Sequence, residues 1–132
     1  MDNFPLKDET YEIIGVCMEV QRTLGYGFSE VIYKDAMEFE FINTNLPYIR
    51  EADLQVDYKG SKLKHSFFAD FICFEKIIVE VKSSDKGITD DHIAQTLNYL
   101  RVSGNTIGLI INFGKRRLEH KRLIYSYSSS PV

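Results

Sequence analysis

The stretch from Phe67 to Lys82, FFADFICFEKIIVEVK, constrains this chain more than any other. Its apolar, β-branched and aromatic residues favour strands, and the polar pair Glu75-Lys76 at its middle marks the turn. A hairpin folded there brings Asp70 close to Glu80 across an antiparallel ladder, since directly opposed residues have side chains about 5 Å apart. Glu80 and Lys82 are two residues apart and share one face of their strand, while Ile77, Val79 and Val81 share the other. Two carboxylates and an ammonium therefore converge on one patch of an apolar hairpin. Such charges are costly to bury unless they are paired or hold a ligand. A half-exposed, salt-bridged hairpin accounts for the pattern as well as a metal-dependent phosphodiesterase site does.

The rest of the chain bounds the choice. A length of 132 residues suggests a single domain over 1–132, large enough for a real core. No apolar run approaches a membrane span, and MDNFPLKDET lacks the regions of a signal peptide. Cys17 and Cys73 sit in apolar settings, which points to buried thiols in a cytoplasmic protein. Net charge is −3 but uneven: residues 1–60 hold 5 Lys/Arg against 12 Asp/Glu, and residues 61–132 hold 11 against 7. A phosphate-binding surface is therefore expected in the second half.

Helical spacing of Ile13, Cys17, Val20 and Leu24 predicts a first helix from about Asp8 to Leu24, ended by Gly25-Tyr26-Gly27. Ser29 is placed to cap a second helix to about Asn43, with Ile32, Ala36, Met37 and Phe39 as its apolar positions. A strand from about Tyr48 to Tyr58, a turn at Lys59-Gly60-Ser61 and the two hairpin strands make a three-stranded meander. Thr89 is placed to cap a third helix to about Val102, stopped by Gly104. Strands follow at Thr106 to Phe113 and Arg117 to Tyr127, then a tail, Ser128 to Val132, expected to fray. The order ααβββαββ predicts a mixed sheet flanked by helices, in the α/β or α+β class. The strands either side of the third helix are expected to pair in parallel through a crossover.

This order and these residues together resemble the PD-(D/E)XK nuclease superfamily. Asp70 matches its first acidic position and Glu80-Val81-Lys82 its (D/E)-x-K. Gln95 to Tyr99, QTLNY, is similar to the Q-x-x-x-Y pattern of RecB-like nucleases. Gly27-Phe28-Ser29-Glu30-Val31-Ile32-Tyr33, with the NFG at Asn112 to Gly114, resembles the GxxExxY protein family, whose members are largely uncharacterised.

Asp70 and Glu80 offer the hard oxygen ligands that Mg²⁺ or Mn²⁺ selects. The resemblance adds the Val81 carbonyl and a Glu30 carboxylate to that metal site. Lys82 is either a general base or a fixed positive charge; the carboxylates beside it favour the protonated form. The family pattern makes Gln95 a partner for the metal-bound water, a phosphate or Glu80. Tyr99 would pack beneath it, and Tyr33 would pack with its hydroxyl at the site's edge. His92, on the same face of the third helix, is a candidate phosphate contact. Lys115, Arg116, Arg117, Lys121 and Arg122 form a basic region able to position nucleic acid without reading its sequence, although alternation in a strand splits such charges between two faces. The resemblance thus implies Mg²⁺-dependent hydrolysis of DNA or RNA. The alternative is a nuclease-fold module that binds nucleic acid, a protein partner or a second copy of itself without turnover.

Overall fold

The computed structural model describes residues 4–126. Helices α1 (Lys7–Leu24) and α2 (Glu30–Asn43) come first. Then follow β1 (Tyr48–Leu54), a two-strand hairpin β2 (Asp57–Tyr58) and β3 (Ser61–Lys62), β4 (Phe67–Cys73), β5 (Ile77–Lys82), α3 (Asp90–Ser103), β6 (Ile107–Asn112) and β7 (Glu119–Ile124). The main sheet has the order β1-β4-β5-β6-β7. Its β5–β6 pair is parallel and the other pairs are antiparallel. The fold is the mixed α/β arrangement expected, with α3 as the crossover between parallel neighbours. Among the described residues, no helix is long and apolar enough to cross a membrane.

The sheet separates two cores. Ile77, Val79 and Val81 of β5, with Leu109 and Ile111 of β6, pack against Ile13, Cys17 and Val20 of α1 and Tyr33, Met37 and Phe41 of α2. Ile78 and Ile110 face the other way, onto Leu100 of α3 and Ala52 and Ala69. Burial of apolar side chains on both faces explains why β5 and β6 are nearly unbroken apolar runs.

Several local expectations shift. The first strand stops at Leu54, four residues before the expected Tyr58, and the chain leaves the main sheet to form β2–β3 around the turn at Lys59 and Gly60. The β4–β5 turn begins one residue early: Phe74 and Glu75 hold φ of 55° and 62°, and the Lys76 amide donates to the Cys73 carbonyl. In α2 the core stripe is Tyr33, Met37 and Phe41, whereas Ile32 and Phe39 are exposed. An all-round apolar helix gives no unique stripe from its sequence; contact with β5 and α1 selects it. Ser29 precedes α2 but makes no side-chain cap, whereas Thr89 caps α3 as expected and Gly104 ends it in the left-handed conformation. Tyr127 and the tail from Ser128 to Val132 lie outside the described residues.

Candidate active site

The β4–β5 ladder is regular from Cys73↔Ile77 to Phe71↔Val79 and then stops. The next opposed pair is Asp70 and Glu80, and here side chains replace the ladder. The Asp70 amide donates to Glu80 Oε2 at 2.8 Å, and the Val81 amide donates to Asp70 Oδ2 at 2.7 Å. The expected convergence of these carboxylates is therefore present, held by side-chain-to-backbone bonds.

A matched kink explains why the ladder stops. On the β1–β4 side, Arg50 pairs with Phe71 and Ala52 with Ala69, so Glu51 stands opposite Asp70 without a ladder pair of its own. Glu51 has φ of 52°, a left-handed conformation uncommon away from glycine. Before the kink, Phe71 faces the α1–α2 core; beyond it, Ala52 and Ala69 face the α3 core. Both strands switch faces at this point, and β4 leaves β5 alone to pair with β6. Backbone strain of this kind recurs at functional positions. Where the ladder stops, Asp70, Glu80 and Val81 bridge the two strands through these side-chain bonds. The Lys82 carbonyl accepts from Phe113 on the β6 side. Val81, the adjacent residue, turns its amide to Asp70, and in an extended strand its carbonyl faces the β4 side as well.

The electrostatics are unbalanced in one direction. Glu80 is only 4% exposed. Burial, reinforced by the Asp70 charge, pushes its carboxyl up to about 8. Lys34 of α2 supplies the cation in contact with Asp70: its ammonium reaches Asp70 Oδ1 at 3.1 Å and Glu51 Oε1 at 2.9 Å. Burial works to lower the Lys34 pKa, but the hydrogen bond to Glu51 and the Asp70 charge outweigh it and the pKa is raised. The Lys82 side chain is half-buried and makes no hydrogen bond or ion pair among the described residues, and its charge acts on Glu80 without contact.

The remaining candidates divide. Tyr99 belongs to the site: its ring stacks on Phe67 of β4 with centroids 4.1 Å apart, and burial followed by the Glu80 and Asp70 charges raises its hydroxyl pKa. Gln95 lies one turn earlier on α3, exposed, its side chain without a hydrogen bond among the described residues. Glu30 is exposed at the first turn of α2 and is not gathered with Asp70 and Glu80 into a three-residue group. Tyr33 is fully buried, stacked on Phe113, with its hydroxyl donating to the Gly25 carbonyl and accepting from the Phe28 amide. It anchors the loop before α2 rather than presenting a free hydroxyl at the site. His92 completes the α3 cap, its Nδ1 accepting from the Thr89 amide, which gives it a structural role.

The basic region also divides. Arg122 is held at the N-terminal segment, over the Phe4 ring and donating to the Pro5 carbonyl. Arg116 and Arg117 are exposed beside Met18, Gln21 and Arg22 of α1. Lys115 lies against Glu119 and Gly87, and Lys121 is exposed on β7. These residues do not form one surface around the carboxylates. The site residues missing from the sequence reading are Lys34 and Glu51. Their signal was faint: Lys34 lies one turn after Glu30 on the same helix face, and Glu51 gains its place only through the β1–β4 register.

A family model of the PD-(D/E)XK nuclease superfamily matches residues 7–123. The chain belongs to that superfamily. Comparison with curated proteins gives no match. Among solved structures, the chain is similar to the crystal structure of SSO0001, at 20% identity and a TM-score of 0.59, over 93% of this chain and 62% of that one. That likeness concerns the fold, and this chain spans less than two thirds of the other.

PD-(D/E)XK nucleases usually use divalent metals. The donor set here fits such an ion. Among the described residues no group of three or more His, Cys, Asp or Glu forms a closed cage. Mg²⁺, however, is typically held by one or two carboxylates and keeps several waters, which Asp70, Glu80 and the Val81 carbonyl satisfy. A buried carboxyl with raised proton affinity, Glu80 beside the Asp70 charge, is the environment a divalent cation relieves.

Proposed function

We propose that this protein hydrolyses phosphodiester bonds in DNA or RNA with Mg²⁺ or Mn²⁺ held by Asp70, Glu80 and the Val81 carbonyl. The observation that carries the reading is Glu80: a buried carboxylate beside a second carboxylate, its pKa pushed up to about 8, with a Lys82 ammonium on the same strand that has no ion-pair partner among the described residues. A perturbed carboxyl where a strand ladder breaks off marks a site where charge is to be handled. The superfamily match supports nuclease-type chemistry, and the GxxExxY resemblance extends it to Glu30 as a contributor from a second direction.

A divalent ion so held polarises the scissile phosphate and lowers the pKa of bound water. The chain's own residues supply the rest. Asp70 stays oriented by the Val81 amide, and Glu80 by the Asp70 amide. Lys82 orients the attacking water and meets the negative charge that grows on phosphorus. Gln95, exposed on α3, binds water or phosphate, and Tyr99 lies within the field of Glu80 and Asp70. Binding of nucleic acid relies on Lys115, Arg116, Arg117 and Lys121 only as scattered phosphate contacts, so little sequence preference is expected.

The test is cleavage of labelled single- and double-stranded DNA and RNA with Mg²⁺, Mn²⁺ or chelator. Cleavage is expected with either metal, and loss with chelator and in Asp70→Asn. Undiminished cleavage by Asp70→Asn would place the activity elsewhere. One observation favours the interaction-module reading: Val31, Ile32, Phe39 and Ile42 leave an apolar strip of α2 exposed, suited to a protein partner or a second copy. Binding without cleavage in the same assay would decide for it.

A further inference from the structure

We propose that Lys34 is an internal cation that competes with the divalent ion for Asp70 and shifts onto Glu51 when the ion binds. The proposal rests on the metal site described above and adds to it an exchange partner.

Three observations converge. Glu51 and Asp70 are opposed across β1 and β4 at the point where both strands change face. Like charges directly opposite one another destabilise a sheet, so the Lys34 ammonium between them is what makes this pairing tolerable. That ammonium divides itself between the two carboxylates, at 2.9 Å from Glu51 and 3.1 Å from Asp70. The two carboxylates also differ in surroundings: the Asp70 side chain is 16% exposed and the Glu51 side chain 50%. Lys34 itself is 14% exposed, so its motion is confined to this pair.

The consequence follows from charge. Asp70 has one oxygen on the Val81 amide and the other on Lys34. A divalent cation at Asp70 and Glu80 would share Asp70 with an ammonium in hydrogen-bond contact, and the two positive charges repel. Glu51 offers Lys34 a second acceptor facing solvent, so the ammonium can leave Asp70 without being stranded. Lys34 thus holds the carboxylates in place when metal is absent and sets a threshold that the metal must exceed. It is a positioning residue, acting on the metal through Asp70.

The experiment is calorimetric Mn²⁺ titration, with thermal melts in the presence and absence of Mn²⁺, on the full chain. Lys34→Gln is expected to bind Mn²⁺ on the order of tenfold more tightly and to melt at a lower temperature without metal. Glu51→Gln, at a half-exposed position that should not impair folding, is expected to bind Mn²⁺ several-fold more weakly, because Lys34 is then left wholly on Asp70. The decisive variant combines the two. If Glu51 acts by receiving Lys34, its effect shrinks when Lys34 is Gln; if it acts only through the general field, the effects add. Additive effects, or unchanged Mn²⁺ affinity in Lys34→Gln, overturn the proposal. Wild-type Mn²⁺ binding that survives Asp70→Asn with Glu80→Gln would instead overturn the metal site on which the proposal stands, and that result is distinct from the others.

Discussion

Glu80 and Glu119 are carboxylates on strands flanking β6, and the chain treats them in opposite ways. Glu119 accepts hydrogen bonds from the Asn112 carboxamide and the Ile88 amide, and these, with Lys115 nearby, hold its pKa down. Asn112 completes the network, accepting from the Ser84 and Gly114 amides and donating to the Ser84 carbonyl. Every partner there is supplied by the protein. Glu80 has one backbone amide, a like charge beside it and a pKa driven up. The lesson is that an acidic residue near a strand end identifies nothing by itself. The direction in which its surroundings move its proton separates a finished structural joint from a place awaiting a cation.

The sharpest break of the comparison is catalytic. Lys82→Ala removes a charge that stabilises the transition state and no metal ligand. Single-turnover cleavage is expected to fall by about 10² to 10³ while Mn²⁺ affinity holds or rises. Wild-type rates in this variant would mean that another protein supplies the activity.

On the Glu119 side the largest effect is on stability. Asn112→Ala strands the Ser84 and Gly114 amides, and denaturant unfolding is expected to show a loss of about 2 to 4 kcal/mol. Gly114 belongs to the same joint, since a Cβ there would stand 2.2 Å from the Ser84 nitrogen.

The Glu80 proton makes the pH response of the two sides differ. Its folded pKa is raised, so the stability it contributes is full below about 4.5 and lost as pH rises through about 8. Metal-free melts should therefore decline from pH 6 to pH 9, and Glu80→Gln should flatten that decline. Metal must displace this proton, so Mn²⁺ affinity is expected to rise about tenfold per pH unit below 8 and level off above it. A pH-independent affinity would contradict the raised pKa. The smallest effect belongs to Glu119→Gln. It keeps an acceptor for Ile88 and Asn112, so unfolding should change by less than about 1 kcal/mol and the Mn²⁺ response should not change.

The parts of the site close together in sequence were legible. Asp70 and Glu80 lie on one hairpin whose alternation fixes register, so their meeting followed from the strand pattern alone. The crossover through α3 was legible for a similar reason, with Thr89 and Gly104 marking its ends. Lys34 and Glu51 were not, because their meeting with Asp70 depends on how α2 packs on the sheet and on a kink at a residue type that does not announce one. The local partners of Arg122 and His92 were hidden for the same reason: a cation or imidazole carries no mark of the local backbone it will serve. The basic run near the C-terminus looked like one surface only because its residues are adjacent in the chain.

That run has another use, which follows from its place in the sheet. β7 is an open edge, as β1 is at the other side. Glu119, His120, Lys121 and Arg122 fill most of β7, and Arg50, Glu51 and Asp53 interrupt β1. A sheet whose middle strands are so apolar would otherwise offer two adhesive margins to any other extended chain. Charged margins make that pairing unfavourable and keep the protein in solution as it folds.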